Sequence, residues 1–172
     1  DITERKRAQD SLEAQRNFLR QVIDLDPSFI FAKDEHGRFT LVNKALAETY
    51  GTTPEEMVGK YDEDFNPNRN ETQRFRRDDN EVVSARRPKF IPEEPVSNTV
   101  TGETRWYQTI KVPLLAEDGQ TVQLLGISTD ITDHKYAQEQ LQQLVIHEQN
   151  ARREAETATR LKDLFLANMS HE

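Results

Sequence analysis

The chain has 172 residues, enough for one core-bearing domain with accessory helices. Its net charge of −8 argues against nucleic acid as a partner, because phosphate binding requires a concentrated basic surface. Without a single cysteine it can build neither a disulfide framework nor a thiolate metal site, and no metal site is expected.

Apolar residues make up 34% and charged residues 31%, which points to one compact domain flanked by long exposed helices. Arg74-Phe75-Arg76-Arg77 and Arg86-Arg87 are locally basic, but Asp78, Asp79 and Glu81 lie beside them, and the group reads as a solvated helix face. The longest apolar runs, such as Phe29-Ile30-Phe31-Ala32, fall far short of a membrane span, and no signal peptide stands at the start. A soluble, cytoplasmic segment is expected, cut from a longer protein whose membrane anchoring stays open.

Taken in chain order, residues 1–26 read as a linker helix with Leu12, Leu19, Val22 and Ile23 on one apolar face. Ser28 to Lys33 is a short apolar run, and Asp34-Glu35-His36-Gly37 turns it into the alternating strand Arg38 to Val42. Asn43 is placed to cap a short helix through Tyr50, closed by Gly51. Thr53-Pro54-Glu55-Glu56 opens another, with proline in its first turn and acids on the positive helix end. A third helix is predicted over Glu71 to Ala85. A proline-broken segment from Pro88 to Pro95 follows, then two long strands, Thr104 to Leu115 and Thr121 to Thr129, joined at Glu117-Asp118-Gly119-Gln120. The order β-β-α-α-α-β-β-β predicts a mixed α+β domain.

An internal repeat marks its edges. Asp1-Ile2-Thr3 recurs as Asp130-Ile131-Thr132, and Lys6/Lys135, Ala8/Ala137, Gln9/Gln138 and Leu12/Leu141 continue the echo in step. Each copy reads as the end of one domain and the start of one helix, so a similar domain is expected before residue 1. Asp130 and Thr132 are expected to end the last strand and cap the outgoing helix, which makes them candidates for signal relay.

From Asp133 onward there is no proline or glycine, and one long helix is predicted. Leu141, Leu144, Glu148, Ala151, Ala155 and Ala158 alternate three and four apart, a weak coiled-coil seam that predicts a parallel homodimer. The seam continues through Leu161, Phe165, Asn168 and Glu172, but the step from Ala158 to Leu161 is three where four is due.

The last residues, Phe165-Leu166-Ala167-Asn168-Met169-Ser170-His171-Glu172, resemble the phosphoacceptor box of bacterial two-component sensor histidine kinases. The resemblance implies that His171 takes the γ-phosphoryl group of ATP, with Glu172 as general base. It also implies a response-regulator receiver domain as the downstream partner. The nucleotide-binding boxes are absent from the sequence, so the segment alone is expected to be silent. About residues 27 to 132 are similar to the PAS (sensory box) domain, on Asp34-x-x-Gly37-Arg38, Val42-Asn43, Glu55 to Gly59, Arg105-Trp106, and Gly126 before Asp130-Ile131-Thr132. This implies a five-stranded antiparallel sheet with short helices over one face, flanked by an N-terminal helix and a long C-terminal coiled-coil helix.

PAS domains often hold a haem, flavin or small metabolite between sheet and helices. Flavin adduct chemistry needs a cysteine and haem an axial ligand; none of the four histidines falls between Asn43 and Ala85, so both cofactors are disfavoured. Phe31, Phe39, Tyr50, Phe65, Phe75 and Trp106 either line a pocket for an unknown small molecule or fill the core. The division expected is a linker helix at 1–26, a PAS domain at 27–132, a coiled-coil linker at 133–160 and the start of the phosphoacceptor helix at 161–172. Two rival readings remain: a binding and dimerisation module in which His171 is inert, and a sensor feeding a nucleotide cyclase, which the terminal octet disfavours.

Overall fold

Strand alternation and three well-signalled turns decide the architecture of this chain. In the computed structural model, which describes residues 1–120 and 122–171, the elements are α1 (Ile2–Leu25), β1 (Phe29–Lys33), β2 (Phe39–Val42), α2 (Lys44–Thr49), α3 (Pro54–Met57), a 3₁₀ turn (Asp62–Asp64), α4 (Arg69–Ala85), β3 (Lys89–Ser97), β4 (Thr104–Leu115), β5 (Val122–Asp130) and α5 (Thr132–Met169). The strands form one antiparallel sheet in the order β2-β1-β5-β4-β3, with the last strand in sequence at its centre beside the first.

The β1–β2 hairpin is set by Asp34. Its Oδ1 accepts from the His36 and Arg38 amides at 2.9 Å each, its Oδ2 accepts from Arg38 Nε at 2.9 Å, and Gly37 supplies φ +85°. Along β1, Phe29, Phe31 and Lys33 point inward, and along β4 the inward positions are Tyr107, Thr109 and Lys111. Period 2 dictates both sets. The buried core joins these to Phe39, Val42, Leu46, Ala47, Met57, Phe75, Val82, Val96 and Leu124. Each large apolar side chain buried there contributes roughly 1.5–3 kcal/mol.

The proline-broken stretch, the third strand of the predicted order, is the nine-residue β3, and its prolines are tolerated because it lies at the sheet edge, where a missing N–H costs no ladder bond. A register shift between Ile91 and Glu94 absorbs Pro92 and turns Glu94 inward. One sequence expectation changes: α4 is not a solvated face throughout. Glu71, Asp78 and Asp79 are buried beside Phe75 and Val82, and the helix begins two residues early because Asn68 Oδ1 accepts from the Asn70 and Glu71 amides.

Asn43 ties the N-terminal helix to the core. Fully buried, it accepts from the Ile30 amide at 3.0 Å and the Leu46 amide at 3.3 Å. Its Nδ2 donates to the carbonyls of Ile23 at 2.9 Å, Ser28 at 2.8 Å and Asp26 at 3.3 Å. Ile23 lies in the last turn of α1, where carbonyls lack helical partners, so a single side chain closes α1 and starts α2. The chain divides into two compact units at Ile131/Thr132, and α1 falls in the first.

Candidate ligand cavity and output helix

Between the inward face of the sheet and α2 and α4 lies a cavity of about 30 Å³. Phe29, Phe31, Phe39, Leu46, Phe75 and Val96 give it apolar walls; Lys33, Tyr50, Asp62, Glu94, Lys111 and Ser128 give it polar ones. Of the aromatic residues singled out in the sequence, Phe31, Phe39, Tyr50 and Phe75 therefore face the cavity. Phe65 packs against the core but does not line it. Trp106 does not line it either: alternating with inward Tyr107, it sits on the other face of β4, where its carbonyl accepts from the Ile131 amide at 2.8 Å.

Composition gave no hint of the ionic cluster here. Lys33 Nζ donates to Asp62 Oδ2 at 2.6 Å and Asp79 Oδ2 at 2.7 Å, and Lys111 Nζ donates to Asp79 Oδ1 at 2.6 Å. Both lysines are 2% exposed, and Asp79 on α4 bridges strands β1 and β4. Lys33 also lies over the Phe39 ring at 4.9 Å, and Lys111 over the Phe75 ring at 5.9 Å. Burial by itself would push the Lys33 ammonium pKa down, but Asp62 and Asp79 outweigh it and hold it above the usual lysine range. Burial likewise pushes the Asp79 carboxyl up, and the Lys33 and Lys111 charges more than reverse that, keeping it below the usual aspartate range. Lys33 and Asp79 are thereby both held in their charged forms at neutral pH.

The other buried tyrosines and acids fit the same picture. Burial, then the Asp62 charge, pushes the Tyr50 phenol well up, and burial pushes Tyr107 up to about 12, so both remain protonated donors. Glu71 is saturated: it accepts from Asn66 at 2.8 Å, Asn68 at 3.1 Å, and the Ser97 hydroxyl and amide at 2.6 and 3.2 Å. Glu94 differs. Its Oε2 and the Nε of Arg74 are buried without hydrogen-bond partners among the described residues, 3.8 Å apart, while Arg74 Nη2 donates instead to the Pro95 carbonyl at 2.5 Å. The inward lysines follow strand alternation from Phe31 and Tyr107, and Asp79 lies on the helical face of Phe75 and Val82. That pattern of polar residues at core positions was the available signal.

At the end of β5 the Asp130 carboxylate pairs with Arg105 Nε at 3.1 Å. Asp130 ends β5, and Thr132 is the first residue of α5. The second unit is α5 itself, unbroken over 38 residues and so about 57 Å long. Its apolar residues stand open: Leu141, Leu144, Leu161 and Phe165 are each more than 60% exposed. The helix ends at Met169; Ser170 still donates to Leu166 at 3.1 Å, while His171 follows in a turn, its amide 3.4 Å from the Asn168 carbonyl. His171 is exposed, and Glu172 lies outside the described residues. Among the described residues no cluster of His, Asp and Glu has metal-binding geometry, and no helix is long and apolar enough to cross a membrane.

A half-open sheet whose inward face is covered by short helices around a cavity, with a helix leading out of its last strand, defines a sensory module. The chain belongs to the family described as the PAS fold, which matches residues 23–135. It is 32% identical over 176 aligned residues to the virulence sensor protein BvgS of Bordetella pertussis, covering 99% of this chain and 13% of BvgS. The methanogenesis regulatory histidine kinase FilI of Methanothrix harundinacea is 32% identical over 118 residues, covering 69% of this chain and 13% of FilI. A diguanylate cyclase of Vibrio cholerae is 30% identical over 117 residues, covering 67% of this chain and 36% of that protein. The chain thus spans about an eighth of the length of BvgS and FilI. In three dimensions it resembles the PAS domain of Bordetella pertussis BvgS, with a TM-score of 0.56 at 25% identity over 78% of this chain and 98% of that one.

Proposed function

We propose that this chain is the sensor-to-output segment of a histidine kinase: a PAS domain whose state is transmitted through a dimeric α5 to a phosphoacceptor at His171. The observation that carries the reading is the unbroken run of α5 from the last sheet strand to within two residues of His171. The BvgS match supports it because it covers 99% of the chain and so reaches well beyond the PAS fold at residues 23–135. The FilI and cyclase matches cover about two thirds.

In the proposed reaction an imidazole nitrogen of His171 attacks the γ-phosphorus of ATP supplied by a separate nucleotide-binding domain. The P–O bond to ADP breaks, and the ring proton passes to Glu172. The phosphoryl group then leaves for a response-regulator aspartate. The exposed seam from Leu141 to Ala158 is covered by the same helix of a second copy, with Glu148 and three alanines keeping the pairing weak. At the Ala158–Leu161 step the three-residue skip overwinds the pair locally, so two packings lie close in free energy and the sensor biases between them. The test is insertion after Ala158 in the intact kinase, with Gly126→Ala as a defined perturbation of the sensor core. Seven inserted residues preserve the heptad and leave autophosphorylation responsive to Gly126→Ala. Four complete the heptad and abolish the response; a response that survives the four-residue insertion refutes the relay.

A further inference from the structure

Glu94 lacks a hydrogen-bond donor among the described residues, not a counter-charge. The shift in β3 turns this carboxylate inward until its side chain is 5% exposed, against the cavity. A buried acceptor normally finds a donor, yet among the described residues Glu94 Oε2 meets none, and 3.8 Å to Arg74 Nε is beyond hydrogen-bond reach. Charge, by contrast, is already balanced. Lys33 and Lys111 are paired with Asp62 and Asp79, and Arg74 lies against Glu94, so three cations offset three acids around the cavity. A charged guest would upset that balance in a low-dielectric site. An uncharged donor would complete it. The volume of about 30 Å³ exceeds the roughly 10–15 Å³ that one water needs, and the Phe29, Phe31, Phe39 and Phe75 rings favour a guest with an apolar body.

We propose that the cavity is a receptor site for a small uncharged molecule, an amide or alcohol of a few heavy atoms, whose donor is taken by Glu94 Oε2 and whose apolar end rests among the phenylalanine rings. This specifies the ligand class of the sensor proposed above and rests on that reading. Four probes share one planar skeleton and separate the variables: acetamide (neutral, donor), acetone (neutral, no donor), acetate (anion) and acetamidinium (cation). Each is titrated into the ¹⁵N-labelled 172-residue chain while the amides of Glu94, Val96, Thr109 and Ser128 are followed. Acetamide is expected to give saturable shifts, with the other three at least about tenfold weaker. In Glu94→Leu acetamide and acetone become equivalent; should that variant not fold, the ranking on the unmodified protein decides alone. Acetate or acetamidinium binding as well as acetamide, or no saturable shift with any probe, overturns the proposal. Either result leaves the assay for phosphate on His171 unaffected, and loss of that phosphate with the acetamide preference intact would refute the kinase reading while the receptor site stands.

Discussion

Replacing Asp79 by Asn tests the ionic cluster that joins α4 to the sheet. The carboxylate accepts from two buried ammoniums, at 2.7 Å from Lys33 and 2.6 Å from Lys111. An amide of the same shape keeps one oxygen acceptor but presents an NH₂ group to the second lysine. Lys33 retains Asp62 at 2.6 Å, whereas among the described residues Lys111 pairs with no carboxylate besides Asp79. One buried charge is therefore stranded, a change that costs about 3–5 kcal/mol. The whole stability of a domain this size is on the order of 5–15 kcal/mol, so the loss is a large share of it. Urea unfolding followed by fluorescence of the single tryptophan, Trp106, measures it directly. The midpoint should fall sharply with the slope unchanged. Replacing all four charged groups with uncharged residues of similar size (Lys33→Met, Asp62→Asn, Asp79→Leu, Lys111→Met) should recover most of the loss, because the desolvation penalty vanishes along with the attraction. A loss below about 1 kcal/mol for Asp79→Asn would mean that water reaches the cluster and refute the argument.

Three further outcomes follow from the same geometry. A Cβ at Gly126 would lie 2.2–2.7 Å from the Phe31 ring, so Gly126→Ala should drive that ring into the cavity and lower stability by about 1–3 kcal/mol by chemical denaturation. Asn43→Asp keeps both acceptor contacts but loses the donors to Ile23, Asp26 and Ser28; a cost of about 2–4 kcal/mol is expected, with faster amide exchange in the last turn of α1 before the sheet loosens. For pH, Asp79 is depressed below 3.8, so its contribution is present above that value and lost as pH falls through its folded pKa. Lys33 is raised above 10.5, so its contribution is present below that value and lost as pH rises through the folded one. Urea midpoints should be level between about pH 5 and 9, and the acid-side drop should be smaller in Asp79→Asn than in the wild type.

Much of the fold was legible because it rests on short-range rules. Asp34 and Gly37 announce the first hairpin, Asn43 the start of α2, and Thr53-Pro54 that of α3, each through a backbone bond made within a few residues. The edge strand β3 was harder to read, since Pro92 and Pro95 deny a ladder that only the sheet order shows to be unneeded. The ionic cluster was not read at all. Lys33, Asp79 and Lys111 come from three distant segments, and pairing across such separations leaves no local trace beyond a charge at an inward position. Phe31, Phe39, Tyr50 and Phe75 were recognisable as candidate lining, but Trp106 shows the limit: its face is decided by strand register, and a bulky aromatic reads the same on either side.

The most direct test of the sensor-kinase account is chemical. The intact kinase is incubated with ATP labelled in the γ-phosphoryl group and the bound label is characterised. The account predicts an acid-labile, alkali-stable phosphate at His171 that disappears in His171→Gln. Label of that chemistry persisting in His171→Gln would contradict it.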